Sequence, residues 1–600
     1  MKTWKTNLEE TKQRYIDWWN HKGIILNMWE HFQEGVTPHA EVTPPAPAKD
    51  LNQKWFDPQW RAEYLDWYVA HSSLMADILP VANTQLGPGS LAAIFGGVFE
   101  GGEDTIWIHP DPDFNDEIMF NPEHPNWILH KELLKACKAK ANGHYYIGMP
   151  DLMEGLDVLA ALKGTDKVLL DTVMQPEVLE QQMQQINDIY FKVFDELYDI
   201  IREGDEMAFC YFSSWAPGKM SKLQSDISTM ISQDDYRRFV QPFIREQCQK
   251  IDYTLYHLDG VGAMHHLPAL LEIKELDAIQ WTPGVGEPQG GSPKWYDLYK
   301  KILAGGKSIM ACWVTLDELK PLLDNIGADG VHLEMDFHNE KEVEQAMRIV
   351  EEYTSSTPTV SKDKESKETV AETHRETIEV KTPEAVEKET LKPLFNAIVD
   401  GKLEPAVEVT KKAIAEGIQP QEIINSYMIK AMGEIGQRFQ DGKAFVPQLL
   451  MAGRAMKGAL ELLKPLLQGS ASTTIGKVVI GTVKGDLHDI GKNLVASMLE
   501  GCGFEVINIG IDVSCDTFVE EVKKNNADIL CMSALLTTTM TYMQDVIKAL
   551  ESAGIRDKVK VMIGGAPVSQ GFADEIGADG YSDNANTAVA VAKELMGLCK

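Results

Sequence analysis

The residue pattern with the clearest chemistry is a histidine held between carboxylates and glycines in one loop. The loop, residues 484–493, carries Asp486 and His488 and is bounded by Gly485 and Gly491. One imidazole nitrogen can coordinate a metal while a carboxylate such as that of Asp486 holds the other N–H, which fixes the tautomer and raises the basicity of the ligand. The glycines let the backbone approach a bulky planar ligand. A capped turn with a solvated histidine is the alternative interpretation of so short a pattern.

The elements around this loop place it at an edge where ligands bind. Four apolar runs, separated by helical patterns, predict the buried strands of a doubly wound, Rossmann-like sheet: residues 478–483, 506–509, 529–532 and 561–564. A loop that follows the first strand of such a sheet lies at its carboxyl edge, where these folds bind ligands. We therefore expect His488 to face a ligand cleft.

Three motifs, in this order along the chain, resemble the signature of the cobalamin-binding fold of methionine synthase and corrinoid carrier proteins. They are Asp486-x-His488-x-x-Gly491, Ser533-Ala534-Leu535 and Gly564-Gly565. The resemblance implies that His488 is the lower axial ligand of the cobalt of a cobalamin or related corrinoid, with Asp486 as its hydrogen-bond partner. It also implies a cleft for the nucleotide tail of the cofactor, lined by Ser533, Leu535, Gly564 and Gly565 and continuous with the loop at Gly491.

An all-helical stretch, residues 391–467, precedes this sheet and predicts a small four-helix bundle. Glycines at intervals typical of helix ends punctuate it: Gly401, Gly417 and Gly442. The segments 432–439 and 445–450 resemble the helical cap of methyl-carrying corrinoid proteins, although that family usually has Glu where this chain has Gln448. The cap implies methyl transfer rather than the radical chemistry of adenosylcobalamin mutases, with apolar side chains that shield a methyl group on the upper face of the corrin.

Short apolar runs alternate with helical patterns over roughly the first 350 residues, which predicts a parallel α/β fold and, at this length, a (β/α)8 TIM-like barrel. The runs are residues 145–147, 208–212, 254–257, 278–281, 308–312 and 331–334. The chemistry of such barrels lies at the carboxyl ends of the strands.

The barrel region resembles the uroporphyrinogen decarboxylase-like superfamily, many of whose members are corrinoid methyltransferases. The resemblance rests on residues 148–151, 165–183, 231–236 and 256–260. Members that methylate thiols hold zinc with His-x-Cys and a later Cys. Here the tripeptide is His257-Leu258-Asp259, and strand spacing places Glu334 near the later position.

This departure changes the expected chemistry, because His257, Asp259 and Glu334 make a harder ligand set than one rich in sulfur. Such a set suits zinc or another divalent ion that acts as a Lewis acid on oxygen or nitrogen. The same three residues can instead serve as acid and base groups on the leaving atom, or simply as hydrogen-bonding residues at strand ends without a metal. Cys312 is a further candidate for a lone sulfur ligand.

Several other residues near the predicted strand ends carry weaker signals. Asp226 can orient a substrate or cap a helix, and the pair His265 and His266 can line the mouth or lie on a solvated face. Three tryptophans lie at or beside predicted strand ends: Trp215, Trp281 and Trp313. They can stack on an aromatic ether, cage a quaternary ammonium, or simply pack the rim.

These elements predict four parts. They are the barrel at 1–352, a flexible charged linker at 353–388, the helical cap bundle at 389–470 and the cobalamin-binding domain at 471–600. The linker is predicted because 354–394 contains no Phe, Trp or Tyr and 361–369 is polar and charged throughout, so little apolar area is available to offset ordering entropy. An exposed helix with many ion pairs is the alternative.

The composition excludes several classes of function. A net charge of −33 over 600 residues makes binding to a phosphate backbone a poor hypothesis, since nucleic-acid affinity rests mainly on Lys and Arg. No apolar run approaches the ~20 residues that cross a bilayer, so we expect no membrane association. Eight Cys without a CxxC pair favour free thiols in a reducing, cytoplasmic setting.

The residues and resemblances together predict a corrinoid-dependent methyltransferase fused to its own carrier. The barrel would remove a methyl group from a small methylated donor, such as a methyl ether or methylamine, and pass it to cobalt(I). A separate acceptor methyltransferase and a corrinoid-reactivating reductase are the expected partners. One alternative reverses the flow and methylates a thiol; another is a corrinoid-binding sensor or storage protein with an inactive barrel.

Overall fold

The computed structural model describes most of the chain in three parts. The described residues are 2–102, 105–110, 114–153, 155–284, 286–354, 391–467, 475–486, 490–534, 537–565, 567–582 and 585–598. We call residues 2–354 the N-terminal module, 391–467 the bundle and 475–598 the C-terminal module. Most of the predicted linker, 353–388, lies outside the described residues; 353 and 354 end the last helix of the N-terminal module.

The N-terminal module alternates strands and helices along the chain. The strands are β1 Ile24–Asn27, β2 Val81–Ala82, β3 Val98–Gly101, β4 Ile106–His109, β5 Tyr146–Met149, β6 Met207–Phe209, β7 Ser214–Ala216, β8 Met220–Leu223, β9 Tyr253–Asp259, β10 Ala278–Thr282, β11 Ser308–Val314 and β12 Val331–Met335. The helices are α1 Leu8–Trp19, α2 Leu51–Phe56, α3 Pro58–His71, α4 Ser90–Ile94, α5 Pro125–Ala141, α6 Gly155–Lys163, α7 Thr165–Met174, α8 Pro176–Ile201, α9 Gln233–Phe239, α10 Gln241–Lys250, α11 Leu267–Leu271, α12 Tyr296–Ala304, α13 Leu316–Ile326 and α14 Glu340–Thr354.

These elements form two main sheets rather than one closed ladder. A six-stranded parallel sheet has the order β1-β12-β11-β10-β9-β8, and a four-stranded sheet has the order β2-β5-β6-β7, with β7 antiparallel to β6. The ends of the sheets approach each other, since Asn27 Nδ2 donates to the Phe212 carbonyl at 3.0 Å and the Met220 amide lies 3.2 Å from Met207 Sδ. Among the described residues the strand pairing does not close into a single sheet, so the architecture observed is mixed α/β with parallel sheets.

Helix α1 packs its aromatic face against both sheets. The indole of Trp18 donates to the Ile309 carbonyl of β11 at 3.2 Å, and the indole of Trp19 donates to the Trp215 carbonyl of β7 at 3.0 Å. Both indoles are buried, and each N–H keeps a hydrogen-bond partner. The large apolar area of each ring is therefore removed from water without leaving a polar group unsatisfied. The helix therefore ties the two sheets together.

The bundle and the C-terminal module follow as separate runs of elements. The bundle contains α15 Lys392–Val399, α16 Leu403–Ala415, α17 Pro420–Ile423, a π-helical turn Ile424–Met428, α18 Ile429–Gln440 and α19 Val446–Leu463. The C-terminal module contains β13 Lys477–Thr482, α20 Ile490–Gly501, β14 Glu505–Asn508, α21 Cys515–Asn525, β15 Ile529–Ser533, α22 Thr537–Met540, α23 Tyr542–Ser552, β16 Lys560–Gly564, α24 Gln570–Ile576, β17 Gly580–Ser582 and α25 Ala585–Leu595.

The bundle has four helical rods, because α17, the π-helical turn and α18 run on without a break. The rods end where the sequence predicts. Gly401, Gly417 and Gly442 have φ of 68°, 76° and 68°, a backbone conformation that glycine adopts at helix ends without steric cost. Gln448 accepts a hydrogen bond from the Phe445 amide at 2.9 Å, so this departure from the family pattern caps the start of α19.

The C-terminal module is a five-stranded parallel sheet with the order β14-β13-β15-β16-β17. Apolar side chains cover both faces: α20, α25 and the bundle pack on one face, and α21, α23 and α24 pack on the other. This is the doubly wound arrangement predicted from the buried runs. The prediction missed its short edge strand β17.

The bundle also touches the N-terminal module. Val446 and Leu450 of α19 are buried in the apolar core of the N-terminal module, and α19 lies along α7. The Phe445 ring stacks on His265, with ring centroids 5.9 Å apart. Within the described part of the chain, no helix combines the length and apolarity needed to cross a membrane.

Candidate functional site

The first candidate site lies at the carboxyl edge of the C-terminal sheet. Four neighbouring strands end in register with small residues: Thr482 pairs with Ser533, Ser533 with Gly564, and Gly564 with Ser582. Small side chains in one row leave an open edge where bulky residues would fill the space. Ser533 and Gly564, two predicted lining residues, therefore lie side by side.

Backbone packing at this edge leaves no room for a side chain at Gly565. The φ angle of Gly565 is 130°, and a Cβ on Gly565 would lie 1.8 Å from the Ala534 carbonyl oxygen. A Cβ on Gly564 would lie 2.9 Å from the Ser582 carbonyl oxygen. The Gly-Gly pair is thus required by the close approach of two chain segments.

The loop after β13 brings Asp486 to the same edge. Asp486 is fully buried, and its Oδ2 accepts a hydrogen bond from the Thr539 hydroxyl at 2.7 Å. Gly485, with φ of 80°, donates its amide to Asp512 Oδ1 at 2.7 Å. His488 and Leu535 lie outside the described residues, and a Cβ on Gly491 would meet nothing within 4 Å. The carboxylate predicted to hold His488 is therefore itself held by a neighbouring hydroxyl.

The second candidate site lies where strands of the N-terminal module end. His257 and Asp259 occupy alternate positions of β9, and Asp226 begins the 3-10 helix Asp226–Met230 after β8. One ligand atom from each of these residues lies within 4.8 Å of the others. We call this group the Asp–His–Asp cluster. Two carboxylates and an imidazole so close together are the donor set of an N/O metal site.

The second nitrogen of the His257 ring is fixed by a buried glutamine. Gln280 of β10 directs its Oε1 to His257 Nδ1 and donates from Nε2 to Thr282 Oγ1 at 2.8 Å and Cys312 Sγ at 3.0 Å. Because an amide oxygen only accepts, His257 Nδ1 must carry the proton. Nε2 then keeps the lone pair that a metal or a proton donor would use.

Glu334, predicted as the third member of the set, does not join it. Its Oε1 accepts a hydrogen bond from Asn27 Nδ2 at 3.0 Å and lies 2.8 Å from His332 Nε2. The alternation of β12 puts His332 and Glu334 on the same face, so they pair with each other, and β1 supplies the amide. Asp226 takes the place in the cluster that spacing assigned to Glu334.

A buried lysine lies beside the cluster. Lys222 of β8 forms an ion pair with Asp151 at 2.5 Å, and both side chains are buried. Lys222 Nζ also contacts Gln224 Oε1, and Gln224 Nε2 donates to Asp226 Oδ2 at 2.9 Å. Asp157 accepts the Asp226 and Ile227 amides at 2.8 and 2.9 Å. The ammonium group of Lys222 thus acts on four carboxyl groups, those of Asp151, Asp157, Asp226 and Asp259.

This charge balance shifts the ionisation of the mouth residues. Burial raises the pKa of Asp157 to about 6. Asp226 is open to solvent but is recessed among the walls of the mouth, and this desolvation, with repulsion from Asp157 and Asp259, raises its pKa. Burial likewise raises the pKa of Asp259, whereas burial and Lys222 lower the pKa of His257 to about 3. The site holds four carboxyl groups, one lysine and a neutral imidazole, and a cation bound there would stabilise the ionised form of the carboxyl groups.

The remaining weaker candidates divide into structural and exposed residues. Trp215 and Trp281 are buried, and Trp281 packs edge-on to Trp295 at 5.1 Å, so neither lines the mouth. Trp313 is 36% exposed at the rim. His266 is buried against Tyr236 and bonds the Ser228 carbonyl, which is a structural role.

Sequence reasoning missed the residues that complete this site. They are Asp151, Asp157, Lys222 and Gln280. Lys222 carried a usable signal, because a lysine at a fully buried position of a strand needs a paired carboxylate nearby. The contacts of the other residues join distant parts of the chain, so spacing alone gives no sign of them.

The folded edge and its motifs define a corrinoid-binding module. The family model of the B12 binding domain matches residues 476–590, and a second B12 binding domain model matches residues 390–464. Two curated relatives cover the same share of the chain. Dimethylamine corrinoid protein 1 of Methanosarcina acetivorans is 48% identical over 210 residues, 35% of this chain and 98% of the relative. Trimethylamine corrinoid protein 2 of Methanosarcina mazei is 44% identical over 211 residues, 35% of this chain and 97% of the relative.

The chain belongs to the corrinoid protein family of methyltransferase systems, through its bundle and C-terminal module. Two solved structures each match about a third of the chain. A cobalamin-binding protein from Desulfitobacterium hafniense is 36% identical, with 34% of this chain and 98% of that chain covered and a TM-score of 0.31. The methanol:cobalamin methyltransferase complex MtaBC from Methanosarcina barkeri is 31% identical, with 35% and 81% covered and a TM-score of 0.32.

The Lys222–Asp151 pair yields a test of the charge balance. Lys222→Met should lower the free energy of unfolding by about 3–5 kcal/mol near neutral pH, because it leaves a buried carboxylate uncompensated. Burial raises the pKa of Asp151, so the folded state binds the extra proton and the loss should shrink as the pH falls from about 8 to about 5. Urea unfolding at both pH values measures this.

The matched control is Lys219→Met, whose partner Asp195 is exposed, and it should cost less than about 1 kcal/mol. Equal losses for the two lysine variants, or a loss at Lys222 that does not depend on pH, would contradict a buried ion pair beneath the mouth.

Proposed function

We propose that this chain is a corrinoid-dependent methyltransferase that carries its own corrinoid module. The N-terminal module, a TIM-like barrel of the uroporphyrinogen decarboxylase-like kind, demethylates a small methylated donor onto the fused corrinoid. The methyl group then passes to a separate acceptor methyltransferase, and a reductase restores cobalt(I). The Asp–His–Asp cluster, in the same chain as a corrinoid edge, is the observation that carries this proposal.

The carboxyl edge of the C-terminal sheet fits a corrinoid with its nucleotide tail extended. Ser533 and Gly564 are small residues at neighbouring strand ends, and Asp486, in the loop that leads to His488, accepts a hydrogen bond from Thr539. When bound, the corrinoid would supply a cobalt(I) centre that can accept a methyl group, and His488 would be the residue that holds the cobalt. Asp486 would orient the imidazole and raise its basicity.

The Asp–His–Asp cluster fits zinc or another divalent ion with hard ligands. His257 would offer Nε2, because Gln280 holds Nδ1, and Asp226 and Asp259 would offer one oxygen each. An ion there would supply a Lewis acid for the lone pair of the departing oxygen or nitrogen.

The structure gives less support to the reverse reaction, in which a thiol is methylated. Cys312 is buried, accepts a hydrogen bond from Gln280, and has a pKa raised by burial, so it is a poor thiolate ligand. Zinc sites that activate thiols are rich in sulfur. The described cluster offers only oxygen and nitrogen.

The covalent link between modules suits repeated transfers. The predicted linker sets a high effective concentration of the corrinoid at the mouth while leaving it free to reach an acceptor. The contact of Phe445 with His265 supports docking beside the mouth, because the 3-10 helix Val261–His266 directly follows β9. The names of the two methylamine corrinoid proteins support a methylated small molecule as donor.

His488→Ala should abolish the axial ligation. Reconstituted with cobalamin, the parent protein should show the absorption spectrum of a histidine-ligated corrinoid with its tail base displaced, and the variant should lose that spectrum. The matched control is His338→Ala, an exposed histidine outside both sites. An unchanged spectrum in the His488 variant would refute its role.

The proposed metal site predicts tight binding of one zinc ion per chain, measured by chelator competition on the purified full chain. Asp259→Asn and His257→Ala should each remove it, and Gln280→Leu should weaken it by about 10–100-fold because the imidazole loses its orienting partner. Asp205→Asn, an exposed carboxylate, is the control. Zinc affinity that is unaffected by these changes would place the ion elsewhere.

The activity itself is tested by a donor panel. The reduced, corrinoid-loaded chain is incubated with methyl ethers, methylamines, methyl halides and thioethers, and methylation of the corrinoid is followed by absorbance. At least one donor should react in the parent and fail in Asp259→Asn. Methyl iodide, which needs no activated leaving group, should methylate both proteins. Equal rates in the two proteins with every donor would contradict catalysis at the Asp–His–Asp cluster.

A further inference from the structure

Helix α19 has two stripes of side chains that face different parts of the chain. The residues of one stripe pack into the core that the bundle shares with the C-terminal module: Leu449, Ala452, Met456, Ala459 and Leu463. Val446 and Leu450, one helical turn apart, are instead buried in the core of the N-terminal module. Arg454 is a further turn along, and its Nη1 lies 2.8 Å from Met174 Sδ at the end of α7. We call Val446, Leu450 and Arg454 the docking stripe.

The docking stripe meets a surface that stays partly open to water. Val173 and Met174, at the end of α7, are 46% and 43% exposed although α19 lies along this helix. The bundle core needs only the other stripe of α19, so burial of Val446 and Leu450 serves the contact with the N-terminal module. A partly wet contact between two modules is typical of interfaces that can separate.

A histidine stacks on the residue that precedes the docking stripe. The Phe445 and His265 rings have centroids 5.9 Å apart and an interplanar angle of 29°. Both ring nitrogens of His265 are bonded to carbonyl oxygens, Nδ1 to that of Gly262 at 2.6 Å and Nε2 to that of Ile231 at 3.1 Å. Because a carbonyl oxygen only accepts, both bonds form together only when each nitrogen carries a proton, and the ring is then positively charged. A positive charge on the face of an aromatic ring is favourable.

The neighbouring histidine stays neutral. The His266 ring lies 3.8 Å from the His265 ring, measured between centroids, and its Nε2 bonds the Ser228 carbonyl at 2.8 Å. Burial lowers the pKa of His266 to about 4, and the charges of His265 and Arg237 of α9 act in the same direction. The positive charge of the two stacked rings therefore belongs to His265, which lies beside the bundle.

Charged groups on the other elements around His265 pair among themselves. Three charged residues line the same groove: Lys294, Asp297 and Lys301. Lys294 forms an ion pair with Glu287. On the bundle side, Asp441 and Lys443 pair with each other at 2.9 Å, just before Phe445 in the chain. The face of the Phe445 ring is thus the contact with the charged imidazole that docking adds.

We propose that the docking stripe is a reversible docking surface of the bundle for the N-terminal module, and that a doubly protonated His265 stacked on Phe445 favours the docked state. Docking and proton binding are linked, because only the docked state places the charged ring on Phe445. Docking is then strongest at acidic pH and weakens as the pH rises through the range in which histidine titrates, about pH 5–8. This goes beyond the proposed function, and neither donor nor corrinoid is needed to observe it.

Small-angle X-ray scattering of the full chain at pH 6 tests the docking surface. Leu450→Asp should separate the modules and raise the radius of gyration, because it places a carboxylate in an apolar contact. The matched control is Leu466→Asp, at a position that is 54% exposed at the end of the bundle, and it should leave the radius of gyration unchanged. A radius of gyration that is the same in Leu450→Asp and the parent, with helix content intact by circular dichroism, would overturn the docking surface.

Alkylation of a thiol introduced by Val446→Cys tests the dependence on pH. Its rate is divided by that of a thiol introduced by Met119→Cys, at a position that is 66% exposed, so that ionisation of the thiol cancels. Mass spectrometry of the modified peptides distinguishes both thiols from the native cysteines. The ratio should rise roughly fivefold from pH 6 to pH 8, the scale of one cation–π contact at a half-buried site.

The same ratio identifies the residues that respond to pH. Phe445→Leu and His265→Gln should each make it independent of pH, since one removes the aromatic face and the other the titrating ring. His338→Gln, which changes an exposed histidine outside the contact, should leave the pH dependence intact. A ratio that is equal at pH 6 and pH 8 in the parent, or a pH dependence that survives Phe445→Leu, would overturn the role of His265.

Discussion

The N-terminal site depends on one buried ion pair, between Lys222 and Asp151. Burying either charge alone would cost several kcal/mol of stability, and the attraction between the two charges offsets that cost inside the module. The lysine offsets only part of the negative charge around it, because Asp157, Asp226 and Asp259 also face the mouth. The result is a site in which four carboxyl groups lie around one lysine, and a bound cation would stabilise their ionised form.

Neighbouring strands connect this electrostatic arrangement to the Asp–His–Asp cluster. Polar side chains on β10, β11 and β12 form a buried layer in which Gln280 contacts both His257 and Cys312 and Glu334 bonds to Asn27 of β1. Parallel strands in register hold such a layer rigidly, so the imidazole has one tautomer and one orientation. In the C-terminal module a side chain near a strand end is also fixed by a neighbouring side chain, since Asp486 accepts a hydrogen bond from Thr539.

The sequence predicted the elements and the corrinoid edge better than the site in the N-terminal module. Apolar runs mark buried strands directly, and the motif at the C-terminal edge is local. Side-chain direction is harder to predict, because a strand buried on both faces shows no alternation from which its phase can be read. Trp281 was therefore expected at the rim, but it is buried, and its neighbour Gln280 is the residue that contacts His257. The place of Glu334 depended on Asn27, 307 residues away in the chain.

In the proposed reaction, a methyl group would pass from the N-terminal module to the corrinoid of the same chain. The rate of corrinoid methylation in a single turnover, measured against protein concentration with a donor that reacts, tests this most directly. Transfer within one chain should give a rate that does not change over a roughly hundredfold dilution, because the covalent connection of the modules fixes their effective concentration. A rate that falls in proportion to dilution would contradict the account.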